Sequence, residues 1–292
     1  MNVLVTGVTG QLGCEVVARF RQLGHEVIAA DRHMLDFLQP AQAAAVIQAQ
    51  QPDWVINCAA YTQVDKAESE PGQAFTINRD TPAQLAQAVA VYGGRLLQLS
   101  TDFVFDGMQT RPYVEEDATH PLGVYGRSKL EGEQAVQREL PDAVMLRTAW
   151  VYGVHGHNFV KTMLRLATAG KPLRVVSDQR GSPTWTSDIV TAIVALVDQQ
   201  ASGVFHFTAS GETSWHGYAS AILEEAADAG FTIKTEKVEP IATTEYPTPA
   251  TRPAYSVLNT DKISACLPFA IPAWRDSLKN MLKEYATCAD CW

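Results

Sequence analysis

The sequence is short of several things, and each shortage removes a class of protein. Basic residues are outnumbered, with 23 Lys and Arg against 32 Asp and Glu and a formal charge of -9. No lysine- or arginine-rich stripe interrupts that surplus. Phosphate backbones are held by clustered positive charge, so no nucleic-acid partner is expected. A small anionic ligand stays compatible, because a few local donors suffice for it. Long apolar runs are also missing: nothing approaches the roughly 20 residues that cross a bilayer, and no membrane partner is expected. Met1 and Asn2 lead straight into Val3-Leu4-Val5 and a glycine turn, without the basic flank and apolar core of a signal peptide. A cytoplasmic location is the expectation. Cysteine is sparse. Cys14, Cys58, Cys266, Cys288 and Cys291 are odd in number and scattered, which fits free thiols in a reducing compartment better than a disulfide framework. Cys288 and Cys291 form one C-x-x-C. A zinc site needs two more ligands at suitable spacing and a redox pair opens a helix after a strand, so this pair is read as carrying neither.

What is present is a chain of 292 residues, 46% hydrophobic and 19% charged, long enough to bury a large core in one large domain or two small ones. Its first half repeats a short β-branched apolar run followed by an amphipathic helical stretch. The runs are Val3 to Val5, Glu26 to Ala30, Trp54 to Cys58, Leu96 to Leu99 and Ala143 to Leu146. That alternation specifies an α/β fold, a Rossmann-like doubly wound parallel sheet whose strands are covered on both faces. Gly24 stands where a left-handed cap would end the first helix; Pro52 follows the second, and Pro141 precedes the fifth strand. After Trp150 the pattern predicts a helix near Asn158 to Ala169, a strand near Val175, a helix near Ser187 to Gln199 and a strand at Val204 to Phe207. Pro and Gly then thicken from Glu239 to Pro253. The expected division is a nucleotide-binding domain over 1–150, to which segments near 171–207 return. A smaller C-terminal substrate-binding part over 151–292 is interleaved with it.

Gly7-Val8-Thr9-Gly10-Gln11-Leu12-Gly13 follows the first strand and opens the first helix. Glycines here permit a sharp turn, backbone approach to a pyrophosphate and close helix–strand packing, while the helix N-terminus offers orphan N–H groups and the positive end of its dipole. Asp31 closes the second strand about 20 residues on, where a carboxylate can accept from ribose hydroxyls. An ordinary tight turn would also use three glycines, but not the distant acid.

Tyr125-Gly126-Arg127-Ser128-Lys129 begins a helical stretch, and residues four apart share a helix face. A phenol near pKa 10 is a sluggish acid at neutral pH; an adjacent ammonium would lower its pKa and ease proton delivery to a developing alkoxide. A solvated helix face often carries the same pair. Thr101, in Leu99-Ser100-Thr101-Asp102 at the end of the fourth strand, lifts it, because the carboxyl ends of such strands line the ligand crevice. Thr101, Tyr125 and Lys129 then form a candidate acid–base trio, although a strand-end hydroxyl also caps a following helix.

With these residues the chain resembles the extended short-chain dehydrogenase/reductases, and within them the dTDP-4-dehydrorhamnose reductase family, over nearly its whole length. The strings Asn57 to Glu68, Leu99 to Gly107, Leu146 to Gly153, Asp178 to Thr184 and Arg252-Pro253 carry the resemblance. It implies an NADPH- or NADH-dependent oxidoreductase that reduces the C4 ketone of a dTDP-linked deoxysugar. It places Gly10, Gln11 and Leu12, within the turn from Gly7 to Gly13, on the cofactor pyrophosphate, Asp36 and Phe37 about the adenine, and Ala59, Ala60 and Tyr61 along the cofactor. Thr62, Val64, Thr101, Asp102 and Trp150 face the sugar, and Tyr125 and Lys129 serve both catalysis and the nicotinamide ribose. A core position is the plain alternative for Trp150.

Two departures stand out. Phe103 replaces the tyrosine common in the strand-end string, removing one hydroxyl. Some members hold a metal at a dimer interface; Glu15 matches one ligand, but the later acidic pair reads Ser187-Asp188, so no metal is expected and a homodimer is left open. An epimerase or dehydratase on the same scaffold is a rival, the dehydratase disfavoured because no Glu follows Thr101-Asp102. A non-catalytic, reductase-like subunit of methionine adenosyltransferase is another. Asp31 repels a 2′-phosphate whereas Arg32 attracts one, so both cofactors are expected to be accepted.

Overall fold

Apolar runs covered on both faces become parallel strands. The computed structural model describes residues 1–288. Six strands form its main sheet: β1 (Asn2–Thr6), β2 (Glu26–Ala30), β3 (Trp54–Asn57), β4 (Arg95–Thr101), β5 (Val144–Thr148) and β6 (Gly203–His206). Their spatial order is β6-β5-β4-β3-β1-β2, and all pairings are parallel. The chain moves from β1 outward to β2 and then returns to the other side of β1 as β3. Connections leaving the carboxyl ends of β1 and β3 therefore diverge and open a crevice.

Alternation along each strand builds two cores. Val3, Val5, Trp54, Ile56, Leu97, Leu99, Val144 and Leu146 face α1 (Gln11–Gln22) and a later helix at Thr186–Asp198. Leu4, Val55, Leu96 and Met145 face α2 (Pro40–Gln50), α3 (Thr81–Tyr92) and α4 (Val124–Glu139). Gly24, at φ +80°, follows α1 as its sequence position requires. The second helix ends one residue before the proline, on Gln51 in the left-handed region.

A third core joins α5 (Phe159–Thr168), α7 (Trp215–Asp228) and α8 (Trp274–Thr287), where α6 is the helix Thr186–Asp198. Leu173–Val176 belongs to this core, paired in parallel with Val238–Ile241. The return to the main sheet expected over 171–207 is thus carried by α6 and β6 alone. The strand Leu173–Val176 finds its partner instead at Val238–Ile241, which leads into the proline-rich stretch. Cys14, Cys58 and Cys266 are free thiols as expected, whereas Cys288 is disulfide-bonded. Cys291, the other half of the C-x-x-C, lies outside the described residues.

One buried ion pair fixes α4 on the sheet. Arg147 of β5 donates to both oxygens of Glu133 of α4, at 2.7 Å from Nη2 to Oε2 and 2.9 Å from Nε to Oε1, with the two side chains 6% and 3% exposed. Phe105 lies under the guanidinium, and His206 Nε2 is 3.3 Å from Nη1. Burial pushes His206 down to about 3, with Arg147 adding to the effect, so the ring stays neutral. Two glycines let α4 lie this close. A Cβ on Gly126 would stand 2.2 Å from the Phe103 carbonyl oxygen, and one on Gly132 2.0 Å from that of Asn78.

Removing one partner strands the other charge in the core. Arg147→Met should lower the free energy of urea unfolding at pH 7 by about 3–5 kcal/mol, and Glu133→Leu/Arg147→Met should recover most of that loss. A double variant no more stable than the single would assign the cost to something other than the stranded carboxylate.

Candidate active site

The crevice is a cavity of about 760 Å³ at the carboxyl ends of β1, β3, β4 and β5. The turn after β1 forms one wall, with Gly7 and Thr9 to Gly13. Cys58, Ala59, Ala60, Thr62 and Val64 follow β3; Leu99 to Phe103 end β4; Tyr125 and Lys129 descend from α4; Thr148 to Val151 end β5.

At the first wall, Gly10 caps α1 without a side-chain hydrogen bond, and the first turn carries no acid. Its leading N–H groups therefore lack side-chain partners and face the cavity. Gly7 sits at φ +66°, and a Cβ there would stand 2.7 Å from the Ala59 nitrogen; one on Gly13 would stand 2.3 Å from the Gly7 oxygen. Only bare backbone fits this cradle, and it suits a dinucleotide pyrophosphate. Asn158, which caps α5, donates to Gln11 Oε1 at 2.9 Å and to the Gly153 carbonyl at 2.7 Å. The loop between these residues thereby brings Gly156 and His157 to the rim.

Lys129 is buried and donates from Nζ to the Leu99 carbonyl at 2.6 Å. Burial pulls it down to about 8, against the pull of Glu133 one turn later. Tyr125 is pushed up to about 12 by burial, opposed by the Thr101 hydroxyl and reinforced by Asp102. The ammonium expected to acidify the phenol is thus turned to a carbonyl, and desolvation governs the phenol instead. The phenol is held as an acid. Thr101 takes the capping role: its hydroxyl accepts from Phe103 N at 3.2 Å, and it also donates to Asp102 Oδ1 at 3.1 Å, a bond that spacing did not announce. Burial raises Asp102 to about 6, with the Ser256 and Thr101 hydroxyls opposing. Asp102 Oδ2, Ser100 Oγ and Thr148 Oγ1 are buried without a hydrogen-bond partner, all at the ends of β4 and β5. Three such orphans close together leave polar atoms here that a bound ligand could satisfy.

Trp150 lines the cavity in a left-handed conformation, φ +48°. For a bulky residue this costs about 1–2 kcal/mol. Its indole stacks on that of Trp215, with centroids 3.6 Å apart and planes 10° from parallel. On the edge it meets Gly181, where a Cβ would stand 2.5 Å from Trp150 Cε2.

Other expected residues lie off the cavity wall. Asp31 Oδ1 accepts from the His33 and Met34 amides at 2.9 and 3.0 Å, and these bonds, Met34 first, hold its carboxyl below the usual range; Arg32 is exposed. Asp36 accepts from Leu38 N at 2.9 Å, and the Phe37 carbonyl accepts from Thr81 at 2.7 Å. All four sit beyond β2. The Tyr61 side chain turns away from the cavity, and its hydroxyl donates to Glu70 Oε2 at 2.8 Å. Glu15 accepts from Thr186 at 2.5 Å and Asp188 from Ser277 at 2.5 Å; burial pushes Glu15 up to about 7. Among the described residues no cluster of three metal-binding side chains occurs.

Sequence reasoning missed Asn78, in a π-helical turn at Thr76–Asp80. Its amide accepts from Tyr61 N and donates to Tyr61 O and to Ser128 Oγ, tying the loop after β3 to α4. The signal was an amide inside a helical stretch, which says nothing of where its partners are.

The whole architecture has known counterparts. A family model described as RmlD substrate binding domain matches residues 1–287. The chain belongs to this RmlD family. The dTDP-4-dehydrorhamnose reductases of Sinorhizobium fredii and Salmonella typhimurium are similar to it, the first 42% identical over 97% of both chains, the second 40% identical over 98% of this chain and 99% of its own. A crystal structure of dTDP-4-dehydrorhamnose reductase from Bacillus anthracis in complex with NADP superposes with a TM-score of 0.92 at 34% identity, covering 97% of this chain and 99% of the other. A methyl group at position 181 would press on the edge of the Trp150 ring. Gly181→Ala should displace that ring and lower stability by about 1–3 kcal/mol, the usual range for overpacking. Unchanged stability and unchanged tryptophan fluorescence would show that the ring has room to move.

Proposed function

We propose that the protein reduces the C4 ketone of dTDP-4-dehydro-L-rhamnose with NADPH or NADH, giving dTDP-L-rhamnose. The observation that carries this reading is the meeting of an uncapped, glycine-lined helix N-terminus with Thr101, Tyr125 and Lys129 in one cavity of an RmlD-family chain. A nicotinamide bound there supplies the hydride. Gly7, Gly10, Gln11, Leu12 and Gly13 would hold its pyrophosphate, Asp31, Arg32, Asp36 and Phe37 the adenosine end, and Ala59, Ala60 and the backbone of Tyr61 the stretch between. Thr62, Val64, Asp102 and Trp150 would take the sugar.

Each reactive side chain then has one task. Tyr125, kept protonated by burial, gives its proton to the oxygen that gains charge. Thr101 orients that oxygen. Lys129, freed from the Leu99 carbonyl, holds the ribose beside Tyr125 and there adds the positive charge that eases proton release. The 1–150 region would serve the cofactor and most of 151–292 the sugar. Among the described residues no helix is long and apolar enough to cross a membrane, and the substrate is a small sugar nucleotide; a cytoplasmic enzyme fits both.

Purified protein given dTDP-4-dehydro-L-rhamnose should consume NADPH with net turnover; none with dTDP- or UDP-linked ketosugars would end the reductase reading and favour a bound-cofactor epimerase or a binding subunit. Tyr125→Phe should keep the fold and cofactor affinity yet lose about two orders of magnitude or more in kcat. Turnover like that of the unaltered protein would dismiss Tyr125 as the donor.

The cofactor choice follows from Asp31 and Arg32. Opposed contacts of comparable strength nearly cancel, so kcat/KM for NADH and NADPH should lie within about a hundredfold. Arg32→Ala should harm NADPH selectively; equal loss with both would mean that Arg32 does not read the phosphate.

A further inference from the structure

A bulky residue at φ +48° stays there only if its surroundings hold it, and for Trp150 those surroundings are visible. One face of its indole lies flat on Trp215, the first residue of α7. Trp215 is itself fixed. Phe159 of α5 meets its ring edge-on at 4.8 Å, and the Ser214 hydroxyl beside it accepts from Gly217 N at 3.0 Å, capping the helix. The backbone just before Trp215 is also paired to the backbone beneath Trp150. Thr213–Ser214 runs antiparallel to Arg180–Gly181, the strand whose glycine leaves the gap that the Trp150 ring occupies. Trp215 and Gly181 are therefore two sides of one slot, joined by main-chain hydrogen bonds. Trp150 lines the cavity, and Trp215 does not.

We infer that Trp215 is a positioning residue, which fixes the angle of the Trp150 indole and so sets the affinity of the sugar site without touching the sugar. This rests on the reading that Trp150 forms a wall for the sugar. A flat ring held in one orientation presents a preformed apolar face, and a ring free to swing must be ordered each time substrate binds. The loss therefore falls on binding of the sugar nucleotide and spares the cofactor, whose cradle lies at the other end of the cavity.

Steady-state kinetics on Trp215→Ala, Trp215→Phe, Trp150→Ala and the double alanine variant tests this. Trp215→Ala should raise KM for the sugar nucleotide about five- to tenfold, with kcat and KM for NADPH within about twofold of the unaltered protein. Trp215→Phe, which keeps a flat face, should restore KM to within about twofold. The double variant should be no worse than Trp150→Ala, because a residue acting through Trp150 has nothing left to position. If the alanine variant does not fold, Trp215→Leu, which keeps bulk without a flat face, should show the same rise. An unchanged KM in Trp215→Ala or Trp215→Leu beside a raised one in Trp150→Ala overturns the inference, as do independent effects in the double variant. If Trp150→Ala itself leaves KM unchanged, the sugar-wall reading fails, and the inference falls with it.

Discussion

A guanidinium removed from water must meet its counter-charge, and in this protein that requirement decides where the helix carrying Tyr125 and Lys129 lies. Arg147 projects from β5 beside Thr148, and the Glu133 that answers it is one helical turn beyond Lys129. Seating Glu133 seats the whole of α4, with Lys129 over the end of β4 and Tyr125 beside Thr101. The same carboxylate supports the charge on Lys129 against burial. One buried pair thus serves the packing of a helix and the protonation of a side chain within the cavity.

A second clamp acts at the opposite rim. Arg252 donates from Nη1 and Nη2 to the two oxygens of Asp65 at 3.0 and 2.7 Å, and its Nη1 also reaches the Thr248 hydroxyl. Asp65 follows Val64 of the cavity wall, so the C-terminal chain is tied directly to the loop after β3. Four residues past Arg252, Ser256 comes to rest beside Asp102. Arg252 is partly exposed, which leaves this bond weaker than the Arg147 pair but easier to make and break.

Much of this was legible in the sequence because the relevant rules are local. β-branched runs between helical stretches announced the sheet, and the i, i+4 spacing of Tyr125 and Lys129 put them on one face of α4. Where partners are far apart in the chain, locality gave nothing. No local pattern marks Glu133, Arg147, Asn78 or Trp215, because each meets its partners across the fold. Val238–Ile241 was hidden for a different reason: Pro240 speaks against a strand, yet an edge strand with one partner tolerates it. Spacing reveals an ammonium near the phenol but not the carbonyl that Lys129 meets, nor the loss of water around the ring.

The close approaches of α4 and of the cradle are seams of backbone on backbone: Gly7 on Ala59, Gly126 on Phe103, Gly132 on Asn78. Such a seam answers to mutation differently from a salt bridge. A lineage can trade Arg147 and Glu133 for an apolar pair, since each side chain can change to suit the other. At a seam the neighbour is main chain and has nothing to trade. A methyl group arriving there finds no compensating substitution next door, so these positions drift alone or not at all, whatever chemistry the cavity between them comes to perform.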